Sequence, residues 1–566
     1  MTLPKKILVL VFLGFIFITI ALAQVDTAWT RRYSSAGAVA DYAYVMTIDN
    51  LGNVYVAGHH TITGQSSNAL VKKYDTNGNL LWTYEYNTAG NYAERFSSIV
   101  VAPSGNVYLC GYTMGYNAGD YLIVKLNGQT GDSIWTRTYD APGSGGYDFC
   151  RRIAIDASEN VYVTGYGARS GYGTSDIVTL KYNTDGALQW AAFYDAGVTG
   201  ADQGYSIFVN ETGVYVTGYS NASSSGNADI VTIKYDPASG NEVWSSRYDG
   251  TASSNDYGRD IVVDNLGNVY ITGSANNSGA NTDITTIKYN PSGNIVWVRT
   301  YNSSYNMADG GWWIKLDGAG HVYVYGTTYT PATVSGQDLC LIKYDAVTGN
   351  EFWLRTYNGP ATVQDTLGSY ENCPDETGQS GMALDASGNI YITGRSTFVG
   401  APLTSHTDIL TLKYNSSGEL QWEARYNHPD IDTIHQGQSV AVDNANNVYV
   451  AGYGRGVGTY IDWVVIKYIQ SLQYIYTHDD YLPHNLVIKV KPNPCAKQTK
   501  IYYSVLFPTN VTIKLYNASG RLVKTLVNEH LSAGSYTKTI ANIVSGIYFL
   551  RYESDTNRAV VKLTAR

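Results

Sequence analysis

Short runs in which apolar and polar residues alternate fill most of the chain, and turn residues separate them. Alternation with a period of two predicts β-strands, and no stretch shows the period of an amphipathic helix. Residues 152–194 are typical, because turns separate four runs at 153–155, 160–166, 176–182 and 188–194. The predicted local unit is therefore a four-stranded antiparallel meander.

This unit recurs eight times along the chain. Each copy contains a Val/Ile-Tyr-hydrophobic strand that ends in glycine, and successive glycines are 53, 54, 53, 55, 53, 68 and 58 residues apart. The glycines are Gly58, Gly111, Gly165, Gly218, Gly273, Gly326, Gly394 and Gly452. Tandem four-stranded units with such a period are typical of β-propeller blades.

Tryptophans mark the last strand of each unit and predict how the ring closes. They are Trp29, Trp82, Trp135, Trp190, Trp244, Trp297, Trp353 and Trp422, each followed four residues later by tyrosine. The eighth glycine-ended unit has no such strand after it, whereas Trp29 precedes the first unit. We therefore predict an all-β, eight-bladed propeller over residues 24–469, in which the N-terminal strand completes the last blade and removes an exposed edge.

Both ends of the chain differ from the repeats. Residues 1–23 carry two lysines, an apolar run and a small-residue site after Ala23, which predicts a signal peptide and no transmembrane span after cleavage. Residues 470–485 are interpreted as a linker. Residues 486–566 contain six alternating runs, at 500–505, 511–516, 521–527, 534–540, 547–554 and 559–563, which indicate a small β-sandwich.

The tail resembles the C-terminal sorting domain of the type IX secretion system. The resemblance is carried by residues 492–494 (Pro-Asn-Pro), 511–516, 520–521, 533–536, 545–548 and 560–563. It implies that residues 486–566 engage the secretion machinery and that the protein is secreted or displayed on the outer cell surface. Cys495 departs from the family pattern, which usually has an aromatic residue there.

The repeats resemble bacterial β-propeller proteins of the SBBP type. The shared features are the Asp-x-x-Gly-Asn turn at 264–268 and 385–389 and the Asp-Ile-x-Thr-hydrophobic-Lys-Tyr strand at 283–289. That family implies fold and export but no common reaction. Residues 345–353 also resemble the tryptophan-docking motif of quinoprotein dehydrogenases, which joins blades and is not catalytic. The chain has no Cys-Cys pair of the kind found at that family's quinone site.

Composition excludes some functions. Charged residues make up 15% of the chain and the net charge is −9, without a basic cluster in the ring, so we expect no nucleic-acid partner. Five cysteines are too few for a disulfide framework, and Cys110 and Cys340 are expected to be core residues. We expect a monomer.

Several residue sets are candidates for chemistry. One acidic or amide residue begins the third strand of every unit, and one lysine lies near its end; these residues are Asn68, Asp120, Asp176, Asp229, Asp283, Asp338, Asp408 and Asp462, with Lys73, Lys125, Lys181, Lys234, Lys288, Lys343, Lys413 and Lys467. Turn stabilisation by the acids and inter-blade ion pairs or extended stems for the lysines are the favoured interpretations. Weak calcium candidates are Asp365, Glu371, Asp375 and Glu376, and no other cofactor is expected. His59-His60 is a weak candidate for metal ligation.

Connection lengths give the functional hypothesis. The turns before Val-Tyr and before Trp are short and regular, whereas the other two connections of each unit vary and share the opposite face. Variable loops on a rigid scaffold commonly carry binding sites. We therefore expect a non-enzymatic binding scaffold for a glycan or protein on this variable-loop face. The alternative is an extracellular enzyme, either a polysaccharide lyase or hydrolase or a quinoprotein-like oxidoreductase, acting on this face or in the central channel.

Overall fold

A computed structural model describes most of the chain, and its described part is divided into two compact units, one within residues 22–473 and the other within residues 474–566. The described residues are 21–35, 39–115, 119–142, 146–168, 175–196, 200–221, 226–251, 254–277, 281–329, 337–358, 365–366, 381–399, 405–427, 434–474, 488–491, 493–495, 498–505, 509–518, 521–532, 534–541, 543–554 and 558–565. Residues 1–20, most of the predicted signal peptide, lie outside them.

The larger unit consists of antiparallel sheets that follow one another along the chain, numbered here sheets 1 to 8. Sheet 1 contains β2 (Tyr42–Ile48), β3 (Val54–Thr61), β4 (Ser67–Tyr74) and β5 (Leu80–Tyr86). Sheet 2 contains β6 (Glu94–Val101), β7 (Val107–Met114), β8 (Gly119–Leu126) and β9 (Ser133–Tyr139). Sheet 3 contains β10 (Phe149–Ile155), β11 (Val161–Ala168), β12 (Ser175–Tyr182) and β13 (Leu188–Tyr194). Sheet 4 contains β14 (Asp202–Asn210), β15 (Gly213–Asn221), β16 (Ala228–Tyr235) and β17 (Glu242–Tyr248). Sheet 5 contains β18 (Tyr257–Val263), β19 (Val269–Ala275), β20 (Asp283–Tyr289) and β21 (Ile295–Tyr301). Sheet 6 contains β22 (Gly310–Leu316), β23 (His321–Thr328), β24 (Asp338–Asp345) and β25 (Glu351–Tyr357).

Sheets 7 and 8 depart from simple chain order. Sheet 7 contains β26 (Asp365–Thr366), β27 (Met382–Leu384), β28 (Ile390–Val399), β29 (Ser405–Tyr414) and β30 (Leu420–Tyr426), and both β26 and β27 pair with β28. Sheet 8 contains β31 (His435–Val442), β32 (Val448–Gly454), β33 (Asp462–Tyr474) and, as its outer strand, β1 (Ala21–Tyr33). Because β33 continues to Tyr474, the predicted linker boundary at residue 470 lies inside a strand.

The first strands of successive sheets, with β27 for sheet 7, lie side by side. Each first strand contacts the first strand of the next sheet, from β2 through β6, β10, β14, β18, β22 and β27 to β31, and β31 contacts β2. Sheets 1 and 8 also share a core that includes Val56, Tyr449 and Trp463. We call these eight first strands the inner strands.

A β-bulge recurs in the inner strands. In sheets 1 to 6 and in sheet 8, the pairing of the inner strand with the second strand skips one residue, as between Gly258 and Asp260 in sheet 5. The skipped residue there is Arg259. A bulge turns the extra side chain away from its regular position, and such bulges are often found beside functional sites.

The repeat glycines make this bulge possible. A Cβ on Gly58, Gly111, Gly165, Gly218, Gly273, Gly326 or Gly452 would lie only 1.9–2.3 Å from a backbone carbonyl oxygen of the inner strand. A side chain at these positions would push the two strands apart. Gly394, the glycine of sheet 7, lies in β28 opposite Leu410.

Tryptophan and lysine side chains join neighbouring sheets. Trp135 Nε1 and Lys125 Nζ of sheet 2 both donate to the Thr184 carbonyl of sheet 3, each at 3.0 Å. Trp29, Trp82, Trp190, Trp244 and Trp353 donate in the same way to Thr76, Gly128, Pro237, Pro291 and Ser416, and Trp422 donates to the Gln470 side chain. Trp297 is the exception, since its buried Nε1 makes no such bond.

The lysines reach the next sheet, but not through the ion pairs that were one of their two predicted roles. Lys73, Lys125, Lys181, Lys288, Lys343 and Lys467 donate to backbone carbonyls of the next sheet and Lys413 donates to Gln470, rather than forming ion pairs. Each ammonium also lies about 5 Å from a tyrosine ring of its own sheet, as Lys125 does over Tyr108 at 5.2 Å. Lys234 likewise lies 5.2 Å from the Tyr215 ring. A carbonyl suffices as partner because the ring face already favours the cation.

The smaller unit contains two sheets around one core. One sheet has the order β34 (Ile488–Lys491), β35 (Gln498–Val505), β38 (Gly534–Ala541), and the other has the order β37 (Leu522–Leu531), β36 (Thr509–Asn517), β39 (Gly546–Glu553), β40 (Arg558–Ala565). Ile501, Ile513 and Leu550 are fully buried in the shared core. The six strands expected from the sequence correspond to β35–β40, and β34 adds a seventh. No helix within the described ranges has the length and apolar character needed to cross a membrane.

Candidate functional site: the inner-strand surface

Aromatic and cationic side chains come together on the inner strands. Their positions are the second and fourth residues counted from a residue that precedes or begins the strand, which is acidic in sheets 1 to 6 and is His435 in sheet 8, and the fourth is the bulged residue. In sheets 1 to 6 and 8 these residues are Tyr42 and Tyr44, Arg95 and Ser97, Phe149 and Arg151, Gln203 and Tyr205, Tyr257 and Arg259, Gly310 and Trp312, and Gln436 and Gln438. The equivalent residues of sheet 7 lie outside the described residues. We call this set the inner-strand surface.

Arginine–aromatic contacts connect sheets 3 to 6. The Arg151 guanidinium lies 4.3 Å from the Tyr205 ring, and Arg259 lies 4.8 Å from the same ring. Arg259 is also 5.0 Å from the Trp312 ring. Cation–π attraction acts within about 6 Å of a ring centroid, so these contacts hold both arginines between aromatic planes. We call Arg151, Tyr205, Arg259 and Trp312 the arginine–aromatic arc.

A second group lies in sheets 1 and 2. Arg95 is 5.2 Å from the Tyr44 ring and 5.0 Å from the Tyr112 ring. His59 lies 5.3 Å from Tyr42 and 5.5 Å from Tyr44, measured between ring centroids. Burial, with help from Arg95 and His60, lowers the pKa of His59 to about 3, so its imidazole is neutral at pH 7.

Most cations of the described inner strands follow the strand starts. Beyond the acidic residues that precede or begin the strands of sheets 1 to 6, these strands carry five cations, Arg95, Arg151, Arg152, Arg259 and Lys315, and one carboxylate, Asp260. Burial lowers the pKa of Arg152 and Lys315, while Asp260 opposes that shift. Asp260 already accepts from Ser206 Oγ at 2.8 Å and from the Ile314 amide at 3.1 Å.

Buried carboxylates at the start of the inner strands fix the variable connections. Asp148 accepts from the Ala141 amide at 2.5 Å and from the Ala168 amide at 2.8 Å, and so ties together the connections before β10 and after β11. Asp41, Asp202, Asp256 and Asp309 bind backbone amides on both sides in the same way, and Glu94 binds Thr88. Burial raises the pKa of Asp148 and of Asp256 to about 6.

Sequence reasoning missed these carboxylates and the arc. The signal for the carboxylates is present, because Asp41, Glu94, Asp148, Asp202, Asp256 and Asp309 recur every 53 or 54 residues. The arc leaves no such signal, since its residues differ from sheet to sheet. Only the alignment of the inner strands brings them together.

Four of the acidic residues that begin the third strands make two kinds of contact: two form ion pairs and two lie near other carboxylates. Asp229 pairs with Arg247 at 2.7 Å and Asp462 pairs with Arg32 at 3.0 Å, so these two residues bind the outermost strand rather than cap a turn. Asp120, Asp140 and Asp148 place carboxylate oxygens within 4.8 Å of one another, as do Asp176, Asp195 and Asp202. Calcium is commonly bound by carboxylate oxygens. The carboxylate oxygens of Asp148 and Asp202, however, already accept hydrogen bonds from backbone amides.

The remaining sequence candidates lie elsewhere. Asp365 is in β26 opposite Ser396, while Glu371, Asp375 and Glu376 lie outside the described residues. His60 lies 3.2 Å from Glu85 and 3.1 Å from the Tyr33 hydroxyl, which is a structural contact between sheets 1 and 8. Cys110, Cys150, Cys340 and Cys495 are buried free thiols, and Cys373 lies outside the described residues.

A depression of 620 Å³ lies on the other face, between sheets 1 and 2. Its lining includes Asp49 and Lys73. Asp49 already accepts from Asn53 and Tyr55, and Lys73 donates to Gly128. These polar groups maintain the repeat, so we place the candidate site on the inner-strand surface.

Two family models match parts of the chain. Residues 489–566 match the secretion system C-terminal sorting domain, and residues 246–279 match the beta-propeller repeat. The chain thus carries a β-propeller repeat of the SBBP family and a sorting domain that indicates export by type IX secretion to the cell surface or the extracellular space. A search of curated proteins found no significant match.

Solved structures show only distant similarity. BamB from Moraxella catarrhalis is 13% identical, with a TM-score of 0.41, over 79% of this chain and 99% of that chain. Quinohemoprotein alcohol dehydrogenase from Comamonas testosteroni is 13% identical, with a TM-score of 0.44, over 78% of this chain and 76% of that one. Chaetomium thermophilum Sqt1 bound to the N-terminus of ribosomal protein L10 is 10% identical, with a TM-score of 0.46, over 76% and 98%. The strand pairing of the chain itself is the better guide to its architecture.

Proposed function

We propose that the chain is an exported, closed eight-bladed β-propeller that acts outside the cell as a non-enzymatic binding protein. Eight successive sheets whose inner strands contact one another, including β31 with β2, support the ring. The position of β1 as the outer strand of sheet 8 supports closure by the N-terminal strand. Removal of the signal peptide after Ala23 and delivery to the cell surface or medium complete this proposal.

The observation that carries the binding function is the inner-strand surface. Seven bulges turn residues of different chemistry toward one surface, and the arginines there lie between aromatic rings. The second and fourth positions lie directly after the variable connections, so the surface and the variable loops adjoin. Planar aromatic and guanidinium groups bind ligands with little loss of side-chain entropy because packing already holds them.

The enzyme alternative has one observation in its favour, the group of His59, Tyr42, Tyr44 and Arg95. Such a group resembles the base and charge-neutralising residues that a polysaccharide lyase requires. A general base works best when its pKa is near the operating pH. Since the pKa of His59 is about 3, this imidazole accepts a proton poorly at neutral pH. The lowered pKa of His59 therefore argues against this imidazole as a general base at neutral pH.

A binding and turnover assay on the purified protein tests this function. The protein is screened against extracellular polysaccharides and surface proteins, and any captured ligand is examined for cleavage. We expect a ligand that is retained without cleavage and lost when Arg151 and Arg259 are both changed to Gln. Cleavage that depends on His59, or binding unaffected by the double change, would contradict the proposal.

Export is tested separately in the native host. Deleting residues 489–566 removes the whole matched sorting domain. We expect the truncated protein to accumulate inside the outer membrane while its thermal unfolding stays unchanged, because the eight sheets form a separate compact unit. Normal delivery to the surface without the tail would refute the export route.

A further inference from the structure

We infer that a protein of the type IX secretion machinery recognises this chain at the outer face of the four-stranded sheet in the smaller unit. We call this face, formed by the outward side chains of β36, β37, β39 and β40, the sorting face. The inference rests on the export route proposed above and names its recognition surface. It concerns Tyr516, Leu522, Ile547 and Phe549, which lie on three adjacent strands.

Strand alternation gives this sheet a core side and an outward side. Leu515 and Leu550 are buried in the core of the smaller unit. Their chain neighbours Tyr516 and Phe549 therefore face outward, because successive side chains of a strand point to opposite sides of the sheet. Phe549 is 37% exposed, and Ile547, two residues before it on the same face, is 43% exposed.

Strand pairing brings the outward apolar side chains into one row. Tyr516 lies opposite Leu522 of β37 on one side and opposite Phe549 of β39 on the other. Residues paired in this way have neighbouring side chains on one face of the sheet. Leu522 is 47% exposed. The sorting face therefore has a contiguous apolar row that solvent reaches.

The row contains most of the exposed large apolar side chains in the described part of the smaller unit. Besides Leu522, Ile547 and Phe549, these side chains are Val523 and Val544. Single exposed apolar residues are ordinary on protein surfaces, whereas contiguous ones with a polar edge are typical of interaction sites. Aromatic residues are also enriched at the centre of protein interfaces.

Cations lie beside the apolar row. Lys562 of β40 lies opposite Phe549. Lys514 lies opposite Arg551, two residues along the strands from the row. Glu553 pairs with Arg551 at 2.6 Å and is the one carboxylate among the described outward side chains of β36, β39 and β40. Three cations against one carboxylate favour a partner whose matching surface has an apolar centre and an acidic edge.

The family match identifies the class of partner. Residues 489–566 match the secretion system C-terminal sorting domain, and a sorting signal is read by the proteins that transport it. Leu522, Ile547 and Phe549 are exposed, so a partner reaches them without opening the core of the smaller unit. An anionic lipid surface also accepts apolar and cationic groups, and the experiments below distinguish it from a protein.

Export of the full chain from the native host tests the sorting face. We expect Phe549→Lys and Leu522→Lys each to lower the fraction delivered to the surface or medium at least fivefold, with the protein retained inside the outer membrane. Val544→Lys is the matched control, because Val544 is exposed and apolar but precedes β39. Lys514→Glu should also lower delivery, whereas Lys538→Glu, which changes an exposed lysine of the other sheet, should not. Protease resistance of each retained protein shows whether its smaller unit is folded.

Photo-crosslinking identifies the partner without adding charge to the face. With p-benzoylphenylalanine at residue 549 of the full chain, we expect a crosslink in intact cells to a protein of the type IX secretion machinery, identified by mass spectrometry. The same amino acid at residue 544 should give no such crosslink. This measurement decides the question even if a lysine at residue 549 or 522 unfolds the smaller unit.

The outcomes separate this inference from the export route itself. Normal delivery of Phe549→Lys and Leu522→Lys, in a host where deletion of residues 489–566 blocks delivery, would overturn the sorting face and leave the export route intact. So would a crosslink from residue 549 only to lipid or to a second copy of this chain, or a loss of delivery in Val544→Lys as large as in Phe549→Lys. Normal delivery of the chain without residues 489–566 would overturn both.

Discussion

Replacing Gly273 with alanine should damage both the fold of sheet 5 and the binding site. Gly273 lies opposite Gly258, where the bulge leaves Arg259 unpaired. A Cβ on residue 273 would lie 1.9 Å from the Tyr257 carbonyl oxygen, whereas real Cβ contacts are essentially never shorter than 3.0 Å. The atom in the way belongs to the backbone, so the whole start of β18 must move by about 1 Å, since no side chain can rotate away.

The magnitude follows from this displacement. Overpacking in a well-packed interior typically costs about 1–3 kcal/mol, and we expect about 2 kcal/mol of lost unfolding free energy for Gly273→Ala. A shift of about 1 Å in β18 also moves Arg259 relative to Tyr205 and Trp312, and binding sites rarely tolerate a shift of that size. We therefore expect affinity for a ligand of the inner-strand surface to fall at least tenfold in the same variant.

Urea unfolding followed by tryptophan fluorescence, together with calorimetric binding, measures both effects. Gly318→Ala is the matched control, because a Cβ there meets no atom within 4 Å and the residue has no positive φ. The control should be neutral or slightly stabilising. If Gly273→Ala were as stable as Gly318→Ala and bound ligand normally, the argument that glycine permits the bulge would be wrong.

Three further predictions concern closure, sheet-to-sheet bonding and pH. Deleting residues 24–33 removes most of the outer strand of sheet 8 and exposes the edge of β33. Calorimetry should then show a loss of cooperative unfolding, or size-exclusion chromatography should show aggregation. An unchanged melting curve would contradict closure by the N-terminal strand. Lys125→Met removes the 3.0 Å hydrogen bond to the Thr184 carbonyl and the contact with the Tyr108 ring. The variant should lose about 1–2 kcal/mol of unfolding free energy, measured with urea. A loss no greater than that of Lys524→Met, which changes an exposed lysine, would argue against the sheet-to-sheet bond. Burial raises the pKa of Asp256 to about 6, above its unfolded value of about 3.9, so its stabilising contribution is lost as pH rises through 6. Between pH 7.5 and pH 5 the protein should gain about 1 kcal/mol relative to Asp256→Asn, and parallel stability–pH curves for the two proteins would refute the raised pKa.

The periodic parts of the fold were predictable from the sequence. Each strand in the larger unit is short and alternating, and the Val-Tyr and Trp-Tyr signatures identify the second and fourth strands of nearly every unit. Trp29 at one end and the missing tryptophan strand at the other indicate the pairing that places β1 beside β33. These features were readable because repetition turns a weak local pattern into a strong one.

The bulge and the arc were not predictable in the same way. The sequence contains the glycine, but nothing local shows that its missing Cβ makes room for the Tyr257 carbonyl of a neighbouring strand. Arg151 and Arg259 are 108 residues apart in the chain and reach the same Tyr205 ring only because three sheets stand side by side. The ion-pair interpretation of the lysines was wrong for a related reason, because a backbone carbonyl such as that of Thr184 carries no sequence signal.

The repeat itself explains where function can lie in this chain. Gly273 and Trp135 belong to sets that occur in every sheet, and the structure uses nearly all members for the same backbone contact. A residue with that task cannot also differ from sheet to sheet. The bulged position is fixed in backbone but free in side chain, since it holds tyrosine in sheet 4, arginine in sheet 5 and tryptophan in sheet 6. The repeat glycine thus creates a variable position, and chemical selectivity in the larger unit is expected there rather than in the residues that define the repeat.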